Sequence, residues 1–422
     1  MRIAKASLVS PDRNLWYGLF AVAVSIFVFA YSTLFGQVSV LAYYALWLPL
    51  IVVDHRRALG DITKVHWIVA FALFACLSVF WSAAPAVTAR AALQLLSHVA
   101  CALIAARTVS IRTLTLGILV GVLVVLAYSL AFGEYHYDVL DGSYSFVGTF
   151  ASKNQLGLFS SLGLFFAFAA IFLLHERGLW RTLAIACGAV SAYALAASQS
   201  AASVIATAVT LAAVTGLGVI LMFSPRTRKV GLLAATVLAI AVVFVGLNLG
   251  AMDLVLGAFG KDSTLTGRTY LWQQGWEAAA QAPMLGAGYQ AYWVQGFADA
   301  ERLWQEFYIA ARSGFHFHNT YIEVLVELGF VGFALLVLVI ARVLLGHLTR
   351  LLNDRHNQAS YIMLGIAVML LIRSFVEVDV LHPYVVGSFL LYYAAGLLAA
   401  PQGAPAFAGH VEPRLTQLRH AA

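Results

Sequence analysis

Charge is scarce in this chain: Asp, Glu, Lys and Arg together make up 10% of its 422 residues, against roughly a quarter in soluble domains. With 62% hydrophobic residues and a mean hydropathy of +0.87, that scarcity excludes a soluble globular protein. What remains is an all-α, polytopic membrane protein. Cysteine is nearly absent too. Cys76, Cys101 and Cys187 each fall inside an apolar run, which excludes a disulfide framework and a thiolate metal site. The chain has no Cys/His zinc set, no P-loop and no Gly-x-Ser-x-Gly elbow, so neither a metal nor a cofactor is expected. An internal repeat of about 20 to 50 residues is also missing, which speaks against an inverted-repeat transporter.

Twelve hydrophobic segments approach the ~17 to 25 residues that cross a bilayer. They are 15–33, 37–53, 66–81, 91–106, 114–132, 154–174, 180–197, 202–222, 230–250, 319–341, 359–376 and 384–400. Even parity is supported by charge. With both termini cytoplasmic, eighteen of the 25 basic residues lie inside, and only Arg90, Lys153, Lys261, Arg268, Arg302, Arg312 and Arg373 lie outside. The net charge of +6 therefore needs no nucleic-acid partner. The first apolar run continues past any small-x-small cleavage signal and reads as a retained span.

On this reading residues 1–250 hold nine spans, 251–317 form one large outer loop domain, 318–400 hold three more spans, and 401–422 form a flexible cytoplasmic tail. Two short helices are expected in the loop. One follows Thr266-Gly267-Arg268-Thr269 through Leu271, Trp272, Gly275, Trp276 and Ala279, and ends at Pro283. The other runs from Asp299 as N-cap to Arg312, closed by Gly314. Both read as lying on the membrane surface, with the loop's many aromatic rings as interfacial anchors or sugar-stacking faces.

His318-Asn319, followed by Gly329 and Gly332, stands where this loop re-enters the membrane. In a continuous helix Gly329 lies within about 20° of the His318 azimuth and roughly 16 Å further along, so a glycine stripe would let a neighbouring helix approach beneath the imidazole. His316 and Asn319 flank it. Arg90, Lys153, Arg268 and Arg373 recur near outer helix ends, where snorkelling is their ordinary role and binding an anionic headgroup their sharper one. Glu323 and Glu327 point away from His318 and are expected to pair with a neighbouring arginine; Glu377 and Asp379 follow Arg373. The Ser198–Ser203 turn offers hydroxyls for phosphate or for helix capping.

Four segments resemble the O-antigen ligase and polymerase superfamily of bacterial envelope enzymes. They are Gly148-Thr149-Phe150-Ala151-Ser152-Lys153-Asn154-Gln155-Leu156-Gly157, Leu265-Thr266-Gly267-Arg268-Thr269 with Leu271-Trp272, Pro283-Met284-Leu285-Gly286-Ala287-Gly288-Tyr289, and His318-Asn319-x9-Gly-x-x-Gly. The resemblance implies transfer of a glycan from an undecaprenyl-pyrophosphate carrier to an acceptor hydroxyl on the periplasmic face of the bacterial inner membrane. His318 would activate that hydroxyl, Arg268 would bind pyrophosphate, and Lys153 would add a cation beside the donor. Asn154, Asn319, His316 and Glu377 would support them. In ligases the acceptor is lipid A core; in polymerases it is another carrier-linked repeat unit.

The serine turn departs from the family pattern, since Gln199, Ala201 and Ala202 stand where many relatives carry a basic residue; Arg90 or Arg373 would have to supply the missing phosphate contact. Trp81-Ser82 with Pro85 and Thr88 to Arg90, and Arg373-Ser374-Phe375-Val376-Glu377-Val378-Asp379, resemble the exopolysaccharide-polymerase branch more closely. Polymerase and ligase both stay open, and so does a lipid-linked-glycan flippase. For the enzyme, an imidazole with an ordinary pKa near ~6.5 suits a general base, inversion at the anomeric carbon is expected, and arginines replace a metal on the diphosphate. A flippase and chain-length or export proteins are the expected partners.

Overall fold

A computed structural model describes residues 4–137, 142, 144–250, 257 and 267–400. The tail at 401–422, the loop residues 251–256 and 258–266, and with them Lys261 and Leu265-Thr266, lie outside the described residues.

Among the described residues eight helices are long and apolar enough to cross a membrane, and a ninth arises if His55–Lys64 and His66–Phe80, bent by 88°, form one span. Two shorter apolar helices, Gln358–Ser374 and Val386–Ala399, join them. The first of the eight, Leu15–Val53, is folded back on itself. Helical geometry fails at Tyr31 and Gly36, Trp47 Nε1 donates to Ser25 Oγ at 2.9 Å, the Tyr17 hydroxyl donates to the Leu46 carbonyl, and the Phe29 and Tyr43 rings lie 5.2 Å apart. A straight helix would hold Ser25 and Trp47 about 33 Å apart. This run thus supplies two of the expected crossings, and each of the twelve hydrophobic segments is helical. The chain is a multi-pass, all-α membrane protein.

Capping sets several of the helix starts. Ser110, Ser152, Ser200, Asn319 and Asn357 each accept a backbone N–H of the following turn. Outward-facing residues such as Val38, Val52, Phe80 and Leu179 stay exposed, as lipid-facing side chains do. Cys101 and Cys187 are buried, Cys76 is half-buried, and all three are free thiols.

The outer loops depart from expectation in three ways. Glu134–Tyr137 and Tyr144–Gly148 form a small antiparallel hairpin instead of plain loop. The first loop helix is Arg268–Gln281, as expected, but it packs its Leu271, Gly275 and Ala279 face on the Thr320–Asn353 helix. The second spans Ala298–Glu306, with Asp299 in its first turn rather than at the cap. It stops before Arg312 because Tyr308 and Arg312 take left-handed backbone. Tyr292, Trp304 and Phe317 are buried with Leu271 and Ile322 in a core that the loop shares with the start of the Thr320–Asn353 helix. These rings are packing residues, while Trp276 and Tyr308 remain exposed.

The glycine stripe takes a different form from the one the spacing predicts. The helix begins at Thr320, so His318 precedes it, and the helix breaks at Gly329, where φ is +61°. The break frees backbone groups that Pro283–Gly288 takes up: Phe330 N–H donates to the Pro283 carbonyl at 2.8 Å, and Gly288 N–H donates to the Glu327 carbonyl at 2.8 Å. Gly329 lies so close that a Cβ there would sit 2.3 Å from the Met284 carbonyl carbon. Gly332 faces Leu328 of its own helix instead of a neighbouring one. Gly329→Ala is expected to destabilise the protein by at least about 2 kcal/mol through left-handed strain and overlap. Gly216→Ala, whose Cβ meets nothing within 4 Å, is the reference. Equal thermal unfolding of the two variants in detergent would contradict this docking.

Candidate active site

Asn319 opens the Thr320–Asn353 helix by accepting Tyr321 N–H at 3.0 Å and Ile322 N–H at 3.2 Å, while its amide donates to the Phe375 carbonyl at 3.0 Å. One side chain therefore starts the helix and ties it to the end of Gln358–Ser374. Just before it, His318 is left-handed, with φ +51°, a conformation that costs a branched or bulky residue free energy and persists only where its surroundings impose it. Those surroundings are specific. His318 N–H donates to His316 Nδ1 at 3.0 Å, Phe317 N–H donates to Glu323 Oε2 at 2.8 Å, and Trp272 Nε1 donates to the Phe317 carbonyl at 2.9 Å. Trp293 Nε1 occupies the other Glu323 oxygen at 2.9 Å. Glu323 thus serves the His316–His318 turn instead of pairing with an arginine.

The strained turn places His318 Nδ1 3.4 Å from Glu377 Oε2. That nitrogen is buried and lies close to the Glu377 carboxylate without an aligned hydrogen bond. Nε2 makes no hydrogen bond with the described residues, and the side chain is a quarter exposed. Glu377 is the hub of the site. Its Oε1 accepts Arg268 Nη2 at 2.9 Å and Asn154 Nδ2 at 2.7 Å, and its carbonyl accepts the Thr320 hydroxyl at 2.7 Å. Arg268 also donates to the Val376 carbonyl at 2.7 Å. Burial lifts the Glu377 carboxyl, but the Arg268 guanidinium and then the His318 imidazole outweigh it, and the group is held well below the usual carboxylate range. Burial, and then the neighbouring His318 imidazole, drive His316 well below an ordinary imidazole, so His316 stays neutral and its Nδ1 stays an acceptor.

A group whose carboxyl is depressed contributes its full stability above its ordinary value of 4.5 and loses that contribution as pH falls further. The difference in thermal stability between the native protein and Glu377→Gln is therefore expected to be largest near neutrality and to close on acidification. A gap that widened towards acid would contradict the charge assignment.

Arg373 lies beside this cluster and is 1% exposed. It pairs with Asp379 and donates to Ser203 Oγ at 2.6 Å. Ser200, in the same turn, donates to Asn154 Oδ1 at 2.8 Å. The serine turn that lacks its own basic residue is thus met by an arginine from another helix. Lys153 begins the helix that carries Asn154 and is buried next to it. Arg90 does not join the cluster: it is exposed at the outer end of Pro85–Thr108 and makes no hydrogen bond or ion pair with it. Thr320 is a site residue that the sequence motifs leave out, while Ser203 and Asp379 belong to stretches they already mark. The signal for Thr320 was its place beside the capping asparagine.

His316, His318 and Glu377 offer three ligand atoms within 4.8 Å of one another, and Glu323, Glu327 and His382 do the same. In the first set, however, Glu377 already carries Arg268 and Asn154 on one oxygen, which supplies the positive charge a cation would bring.

Comparison with known proteins places this arrangement. Residues 186–337 match the family model for O-Antigen ligase. Over 402 residues, 95% of this chain and 92% of the relative, the sequence is 56% identical to the exopolysaccharide production protein ExoQ of Rhizobium meliloti (strain 1021). The chain belongs to the O-antigen ligase and polymerase family. The family match contains Arg268, His316, His318 and Asn319. Asn154, Arg373 and Glu377 lie outside it, on segments that the fold returns to the same spot.

Proposed function

We propose that the chain is a glycosyltransferase that moves a glycan from a polyprenyl-diphosphate carrier to an acceptor sugar hydroxyl, most closely as a polymerase of exopolysaccharide repeat units. The observation that carries this reading is His318 held by its buried Nδ1 against Glu377, with Arg268 on the other carboxylate oxygen. The ionised Glu377 favours the tautomer with its proton on Nδ1, which leaves a lone pair on Nε2. The acceptor oxygen attacks the anomeric carbon, its proton passes to Nε2, and the bond from that carbon to the diphosphate oxygen breaks. Glu377 stabilises the imidazolium formed, as a carboxylate does behind any base histidine. Arg268 uses two of its N–H groups within the protein and keeps others for the diphosphate, and Lys153 and Arg373 add charge nearby. In-line displacement inverts the anomeric centre.

The charge asymmetry supports a position for this end of the bundle on the periplasmic face of the inner membrane. The ExoQ relative and the Arg373–Asp379 segment favour the polymerase, with transfer to lipid A core as the second reading. The purified protein, given an undecaprenyl-diphosphate oligosaccharide, should build a ladder of products; a single addition to lipid A core with no ladder would favour the ligase.

A further inference from the structure

At the opposite end of the bundle from His318 lies a cavity of about 450 Å³ lined by Trp67, Arg342, Gly346, Thr349, Arg350 and Leu398. A contiguous one of about 440 Å³ adds Thr63, Lys64 and His66. Among the described residues no acidic side chain lines either. Asp61 lies 3.7 Å from Lys64 on the exposed surface. Arg350 is fixed by donating to the Leu397 and Leu398 carbonyls, each at 2.9 Å, which stiffens the wall. Arg342 makes no hydrogen bond or ion pair with the described residues, and its guanidinium sits 5.2 Å from the centre of the Trp67 ring. His66 Nδ1 is bound to the Thr63 carbonyl at 2.7 Å, which leaves Nε2 outward.

Four cationic or ionisable donors and an indole converge here between membrane helices, none of them used by the site around His318. A stacked guanidinium without a counter-ion, in an open groove with no carboxylate among its described lining residues, is the chemistry that takes a phosphate ester. Its position at the helix ends selects the source: a headgroup whose acyl chains run along the apolar flank made by Leu345 and Leu398. We propose that this cavity binds the headgroup of an anionic phospholipid in the leaflet at that end. The binding couples the Thr320–Asn353 helix, which carries Arg342 and Arg350, to the His66–Leu77 segment. It rests on the cavity and its charges and stands apart from the transfer reaction.

The test uses the full chain purified from nanodiscs of equal phosphatidylglycerol and phosphatidylcholine, with retained lipid read by native mass spectrometry. Retention of phosphatidylglycerol over phosphatidylcholine is expected, falling about fivefold for each of Arg342→Gln and Lys64→Gln. Both positions are exposed, so unchanged unfolding temperatures keep the loss attributable to the site. Equal retention of the two lipids, or an unaltered preference in the double variant, overturns the proposal. Displacement by millimolar inorganic phosphate overturns it as well, since the site would then read free phosphate and not a lipid.

Discussion

His318→Ala is expected to lower the transfer rate about 10²- to 10⁴-fold, the range a positioned general base contributes, while the protein stays folded. The imidazole is only a quarter exposed, yet its removal leaves the surrounding turn intact, because the bonds that hold it run through Phe317, Asn319 and the His318 backbone. Binding of the donor should change little, because the base acts on the acceptor. His318→Gln keeps a polar group but cannot take the proton, so its rate should fall with that of the alanine variant. Single-turnover rates at saturating donor measure this. A His318→Gln variant at native rate would remove the base role and leave His318 as a turn residue.

Arg268→Gln is expected to lose about 10² to 10³ in rate, the scale seen when one charge-stabilising donor is removed, and to lose stability as well. Glu377 is buried and ionised because Arg268 faces it. Deleting one partner of a buried pair costs about 3–5 kcal/mol because the other charge is stranded. Arg268→Gln with Glu377→Gln removes both charges, so much of the stability should return. Activity should not, because the diphosphate still lacks its cation and His318 has lost its orienting carboxylate. Recovery of activity along with stability would mean that Arg268 serves only to neutralise Glu377.

The helices were legible in the sequence because lipid demands runs of apolar residues, and the fold-back at Gly36 was legible because such runs have a length limit. His318, Arg268 and Asn154 could be named from local motifs. Their meeting point could not. Glu377 joins three segments far apart in the chain, and nothing in its own neighbourhood says which oxygen takes the arginine. The stripe argument failed at Gly329 for a physical reason: azimuths hold only while the helix is continuous, and here the Pro283–Gly288 loop takes over the hydrogen bonds that the break releases. Arg90 shares its charge and its side of the membrane with the site, but charge pattern alone fixes depth and not convergence. Arg373 shows the converse, since the fold brings it from another helix to Ser203 in the serine turn.

The most direct measurement is the release of polyprenyl diphosphate by the purified protein, followed together with glycosidic bond formation and with no other protein present. The account predicts one diphosphate released per bond formed, with both signals lost in His318→Gln. Bond formation without diphosphate release, or neither signal from authentic donor and acceptor that the protein demonstrably binds, would contradict it.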